Sequence, residues 1–225
     1  MPAMLSAHGA ENEYVVHLVD DDPHVLRALG RLLTAQGICS EASQSADEFL
    51  ERYNPSVPGC LVVDMAMPDT SGLELQRQLM RSDVGLPVVF LSGRADVPDS
   101  VRAMKDGAID FLTKPVDADA LLDAVRRGVE SDLDARRRNA ERSGLQALLG
   151  TLTPRERELL PYLVSGKLNK QIAAELGVVE KTIKVHRMHV MRKFGVRRLA
   201  DLVRLAEKLH VVHFEDDPAP VRLAS

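Results

Sequence analysis

Asp20, Asp21 and Asp22 stand together near the start of the chain, and Asp64, Ser92 and Lys114 follow at wide intervals. Asp20, Asp64 and Ser92 each directly follow a short apolar run, at 14–19, 60–63 and 88–91, while Lys114 comes two residues after the run at 109–112. If those runs are parallel strands, their ends share one edge, and a carboxylate cluster forms there with one hydroxyl and one ammonium. Crowded carboxylates repel one another unless a cation sits among them. A hard cation that keeps several waters points to Mg2+ (or Mn2+). Such a site suits phosphoryl transfer: the cation and Lys114 neutralise the transferring oxygens while one carboxylate attacks, giving an aspartyl phosphate. Asp22-Pro23 reads instead as a helix cap with proline in the first turn. Asp69, Asp96, Asp99 and Asp110 read as solvated loop or cap carboxylates.

The elements that must position these residues alternate. Runs at 14–19, 38–43, 60–63, 88–91 and 109–112 are near-continuously apolar, as expected of strands covered on both faces. Helical patterns lie between them: 23–36 closed by Gly37, 46–52 opened by a Ser45/Glu48 capping box, 73–81, 97–106 closed by Gly107, and one beginning near Asp117. Five such units predict an α/β fold, a doubly wound five-stranded parallel sheet spanning residues 13–125. The helical pattern continues from 126 to 150, where Val129 and Leu133 give way to Arg136, Arg137 and Arg138, and this stretch reads as a helical linker. Residues 1–12 and 211–225 read as disordered ends.

Residues 151–210 have a different character. Thr153-Pro154-Arg155-Glu156 is a capping box that opens a helix ending at Gly166, Asn169 caps a second helix, and Gly177 makes a tight turn into a basic third. In that third helix Ile183, Val190 and Phe194 face inward, while Lys181, Lys184, His186 and Arg187 can face out. A fourth helix follows, so an all-α four-helix domain with a helix-turn-helix is expected, its basic helix shaped for the major groove. The plain alternative is a four-helix bundle with a solvated basic face. Charge supports the split: 19 acidic and 9 basic residues from 13 to 123, against 6 and 13 from 151 to 209. An acidic half suits cations and a basic half suits double-stranded DNA. His186 and His189 share a helical face at metal-binding spacing, yet no third ligand lies nearby in the sequence.

Cys39 and Cys60 have no metal-ligand spacing and read as a reduced interior pair, which favours the cytoplasm. No apolar run approaches the ~20 residues that cross a bilayer, so no membrane partner is expected.

The motifs at 16–22, 64–72 (Asp-Met-Ala-Met-Pro-Asp-Thr-Ser-Gly) and 111–115 resemble response regulator receivers, most nearly the FixJ-like members. The resemblance implies that Asp64 is the phosphoacceptor, and that Asp21, Asp64 and the Ala66 carbonyl hold the metal with Asp20 as their acidic partner. It makes Ser92 and Phe111 the switch pair and Lys114 the phosphate-pairing ammonium, with Pro115 after a cis bond. Arg often stands in the family where this chain has Ala66. Residues 152–209 resemble LuxR/NarL-type DNA-binding domains through Asn169-Lys170, Ile172-Ala173, Leu176-Gly177 and the run from Lys181 to Arg187. That implies base-edge contacts by Lys184, Val185 and Met188, and phosphate contacts by Lys170, Lys181, Thr182 and Arg187. Val179 stands where the family usually has a Ser or Thr cap.

Together the resemblances imply a transcriptional regulator of a two-component system, in which a cognate sensor histidine kinase phosphorylates Asp64 and promotes homodimerisation and DNA binding. RNA polymerase stays open as a contact. Such a protein is no enzyme beyond catalysing its own phosphorylation and dephosphorylation. The rivals are a phosphorylation-independent DNA-binding protein with a structural receiver and an aspartyl-phosphate phosphatase. Asp21, Asp64, Ser92 and Lys114 speak against the first, and the lack of any cap domain or substrate-pocket signal against the second.

Overall fold

In the computed structural model, which describes residues 14–81, 85–93 and 97–208, strands and helices alternate through the first half. The order is β1 (Val15–Val19), α1 (Pro23–Ala35), β2 (Ser40–Ser43), α2 (Ala46–Arg52), β3 (Gly59–Asp64), α3 (Gly72–Arg81), β4 (Val88–Ser92), α4 (Val97–Lys105), β5 (Asp110–Thr113) and α5 (Ala118–Gly150). The five strands pair in parallel as β2-β1-β3-β4-β5. The doubly wound sheet expected from the alternation is therefore present. The readings of residues 1–12 and 211–225, of Asp96 and of the Asp99 side chain fall outside the described residues.

Side chains alternate between the two sheet faces with period two. Val16, Leu18, Val62 and Leu91 pack against α1 and α5 on one face. Val19, Val63 and Phe90 pack against α2, α3 and α4 on the other. β3 and β4 are buried at every residue, as their central place requires. β2 is different: Glu41 and Ala42 are exposed, because an edge strand has a neighbour on one side only. It also begins two residues later than its apolar pattern suggests. Gly37, at φ 73°, turns the chain out of α1, and the Ile38 amide donates back to the Leu33 carbonyl at 2.9 Å instead of joining the sheet.

The cysteines do not form an interior pair. Cys60 is buried in β3, and burial, with Asp132 nearby, pushes its thiol up to about 12; Cys39 is exposed, and both are free.

Contacts divide the chain into two units between Arg137 and Arg138. Within the first, Asp132 on α5 is 5% exposed and accepts the Gly59 amide at 2.8 Å and Arg136 Nε at 2.8 Å. The Arg136 guanidinium in turn donates to the carbonyls of Pro55 and Val57, at 2.9 and 3.0 Å.

The second unit consists of the end of α5 with α6 (Pro154–Val164), α7 (Asn169–Glu175), α8 (Glu180–Lys193) and α9 (Leu199–Lys208). Leu159, Leu163, Ile172, Ile183, Val190 and Leu202 form its core, with Leu148 and Leu149 of α5 packed on it. The capping box of α6 is formed: Thr153 Oγ1 accepts the Glu156 amide at 3.3 Å, and Glu156 Oε2 accepts the Thr153 amide at 2.9 Å. Asn169 is not a cap. It lies inside α7, where Leu168 holds the cap position and donates its amide to Gln171 Oε1 at 2.9 Å, while Asn169 Oδ1 accepts Arg187 at 3.3 Å.

Candidate functional site

The strand order reverses between β1 and β3, so the chain leaves them toward opposite faces and opens a crevice at their carboxyl ends. Asp20 follows β1 and Asp64 closes β3. Lys114, just beyond β5, reaches both: its Nζ lies 2.5 Å from Asp20 Oδ2 and 2.6 Å from Asp64 Oδ1. The remaining oxygens are engaged as well, Asp20 Oδ1 by the Asp22 amide at 3.0 Å and Asp64 Oδ2 by the Ala66 amide at 2.8 Å. One ammonium thus bridges two buried carboxylates. Burial pushes the Asp20 carboxyl above the ordinary aspartate value, against the pull of its Lys114 and Asp22 hydrogen bonds. For Lys114 the balance reverses: burial would lower it, but hydrogen bonds to Asp20 and Asp64 outweigh that and hold the amine above the ordinary lysine value.

Ser92 ends β4 at 7% exposure, and its carbonyl accepts the Lys114 amide at 2.7 Å, which fixes where Lys114 begins. Lys114-Pro115 is a cis bond. Phe111 is half-buried against the core face that carries Val63 and Phe90. Asp21 and Ala66 are exposed beside the cluster. The Asp22 side chain stays out of it and caps α1, accepting the His24 amide at 2.7 Å. Asp110, expected to be solvated, pairs with Arg127 on α5.

Gly72 opens α3 directly against the site. A Cβ there would lie 2.5 Å from the Asp64 carbonyl oxygen and 3.1 Å from the Phe90 ring. Gly72→Ala is expected to destabilise the first unit by about 1–3 kcal/mol through overpacking, read as a lower urea midpoint; an unchanged midpoint contradicts this packing.

On the second unit, Lys181, Lys184, Val185 and Met188 of α8 and Lys170 of α7 are exposed, and Thr182 and Arg187 are half-buried. Val185 and Met188 are exposed by 41% and 56%. Lys184 pairs with Glu180 at 3.0 Å. Val179 occupies the α8 cap position with no side-chain hydrogen bond to the helix. His186 is half-buried, with its Nδ1 buried.

Residues 16–126 match the family described as the response regulator receiver domain, and residues 150–206 match the bacterial regulatory proteins of the luxR family. The chain is similar to nodulation protein W of Bradyrhizobium diazoefficiens, 43% identical over 90% of this chain and 89% of the relative. It belongs to the response regulators. Transcriptional regulatory protein FixJ of Rhizobium meliloti is 40% identical over 86% of this chain and 95% of its own length. The low-resolution structure of response regulator StyR matches with a TM-score of 0.80 and 45% identity, covering 87% of this chain and 99% of that one.

This response regulator therefore joins a receiver to a LuxR-type DNA-binding domain, and its family implies a kinase partner and DNA binding. Among the described residues, no helix is long and apolar enough to cross a membrane. Sequence reasoning did not find the close approach at Gly72 or the place of Glu156, which links the α6 cap to Lys193 on α8. The Thr153–Glu156 capping box is visible in the sequence. The pairing with Lys193 arises only from the packing of α6 on α8.

Proposed function

We propose that a histidine kinase phosphorylates Asp64 and that the phosphoryl group promotes homodimerisation and sequence-specific DNA binding. The observation that carries this reading is the Lys114 ammonium held between Asp64 and Asp20. Asp64 attacks the phosphorus of a phosphohistidine: an oxygen–phosphorus bond forms, the phosphorus–nitrogen bond breaks, and the imidazole leaves with the electron pair. Lys114 passes from Asp64 to a phosphoryl oxygen while Asp20 keeps it in place.

Asp21, Asp64 and the Ala66 carbonyl are hard oxygen donors and suit Mg2+ (or Mn2+). Asp20, only 1% exposed and held by Lys114 and the Asp22 amide, stands behind them. A cation that rests on one or two carboxylates and keeps its waters is the kind this donor set would hold. When bound, the metal offsets charge on the transferring oxygens. The receiver then catalyses its own phosphorylation and slow hydrolysis and turns over no other substrate.

The Ser92 hydroxyl turns toward the phosphoryl oxygens and Phe111 follows it inward, changing the face built from α4 and β5. Val101 and Met104 on α4, each 47% exposed, supply apolar surface for a second receiver. Two paired α8 helices then meet two half-sites.

A small phosphodonor with Mg2+ should label the protein. Label persisting at wild-type level in Asp64→Asn, or without divalent metal, overturns the assignment. In the DNA-binding unit, Lys184, Val185 and Met188 read base edges, and Lys170, Lys181, Thr182 and Arg187 hold phosphates. Lys184→Ala should reduce discrimination between a selected site and random DNA by about 1–3 kcal/mol, whereas Lys170→Ala weakens both and lowers the salt slope by about one. Equal losses from the two variants in both measurements refute this sorting.

A further inference from the structure

We propose that Glu156, His186 and His189 form a binding site for a divalent transition-metal ion of the Zn2+ class, joining α6 to α8 within the DNA-binding unit. The two histidines lie three residues apart on α8, and the fold adds what the sequence did not place near them, a carboxylate from the first turn of α6. One ligand atom from each of the three lies within 4.8 Å of the other two. Bonds of 2.0–2.1 Å to a tetrahedral ion would set donors about 3.4 Å apart, so the group closes by roughly an ångström or so of side-chain adjustment.

Two further observations point to a ligand. His186 Nδ1 is buried with no hydrogen-bond partner among the described residues. A buried ring nitrogen without a partner is costly, and a metal bond would restore what it lost from water. The Glu156 carboxylate also divides its work. Oε2 accepts the Thr153 amide at 2.9 Å and Lys193 at 2.5 Å, while Oε1 faces His189 Nδ1 at 3.7 Å. The first oxygen orients the group as outer partners orient metal ligands, and the second is left for an ion.

Imidazole nitrogen selects Zn2+ and its neighbours over Mg2+, so this site is distinct in chemistry from the oxygen donors around Asp64. The His189 side chain is 35% exposed, which gives the ion an entry path and leaves room for water in the fourth position. Occupancy would tie α6 to the helix that carries Val185, Arg187 and Met188. The inference does not depend on phosphorylation of Asp64.

The test is a Zn2+ titration of the full chain by calorimetry, with saturating Mg2+ present to occupy the oxygen site. Co2+ as a second probe reports nitrogen ligation and tetrahedral geometry through its visible absorption. Wild type should bind one equivalent and melt at a higher temperature with it. His189→Gln and His186→Gln should each weaken that equivalent by at least about 10–100-fold, the loss that even outer partners of a metal produce. His189→Gln alters the more exposed ring and keeps the pairing of Glu156 with Lys193, so its result decides if His186→Gln unfolds. No binding by wild type, or the same affinity in wild type and His189→Gln, overturns the site.

Discussion

Lys114→Ala is expected to slow phosphoryl transfer from a small donor to Asp64 by about 10²–10³-fold, the usual effect of removing one preorganised donor from developing charge. The geometry makes the loss large. Among the described residues Lys114 alone bridges Asp20 and Asp64, at 2.5 and 2.6 Å, and the two carboxylates are 1% and 5% exposed. Without the ammonium, the approaching phosphoryl oxygens meet negative charge on both sides. Asp20, which burial already pushes upward, loses the hydrogen bond that opposes the push. Lys114→Arg should not restore the rate, because a planar fork cannot place one point charge between two oxygens as an ammonium does. Initial labelling rates at saturating Mg2+ measure both variants. A Lys114→Ala rate within about threefold of wild type would remove Lys114 from the transfer step.

Glu156→Gln is expected to destabilise the packing of α6 on α8 by about 2–4 kcal/mol at neutral pH, since it breaks a charge-assisted bond at a side chain only 4% exposed. The amide retains an oxygen for the Thr153 cap, so the loss comes mainly from the pair with Lys193. That pair also sets a pH signature. The Lys193 ammonium, opposed by desolvation and helped by the Thr153 amide, holds the Glu156 carboxyl at about 2, below its ordinary 4.5. A carboxyl depressed in the folded state contributes stability above its unfolded value and loses it as pH falls toward the folded one. The difference between wild type and Glu156→Gln should therefore be full above about 4.5 and shrink toward about 2. Amide hydrogen exchange along α6 and α8 in the full chain reports it. A difference that stays constant across that range would show that the carboxyl is not coupled to Lys193.

The residues that mark the receiver were legible because strands end where their apolar runs end, and a parallel sheet collects those ends. Asp20, Asp64, Ser92 and Lys114 needed no knowledge of packing. The edge strand β2 was less legible, since Ile38 looks like strand but is used by the turn that closes α1. Asn169 looks like a cap, yet Gln171 serves that amide and frees Asn169 for Arg187. Cys39 seemed interior from its neighbours, but the turn after α1 leaves it exposed. The third member of the His186–His189 group lies thirty residues back on another helix. Spacing along one helix cannot reveal it, because only the packing of α6 against α8 brings it there. Apart from each other, the partners of Asp132 and Arg136 were invisible for another reason: they are backbone groups, which carry no residue identity.

That last arrangement bears on where the polypeptide can be divided. A receiver fragment ending at residue 126, the limit of the family match, would discard Asp132 and Arg136 together. The Gly59 amide at the head of the central strand would lose its acceptor, and the carbonyls of Pro55 and Val57 their donor. The other end of that strand is Asp64. A fragment carried to Arg137 keeps the strand fastened at its start, and the complementary piece beginning at Arg138 keeps Leu148 and Leu149 beneath the DNA-binding helices.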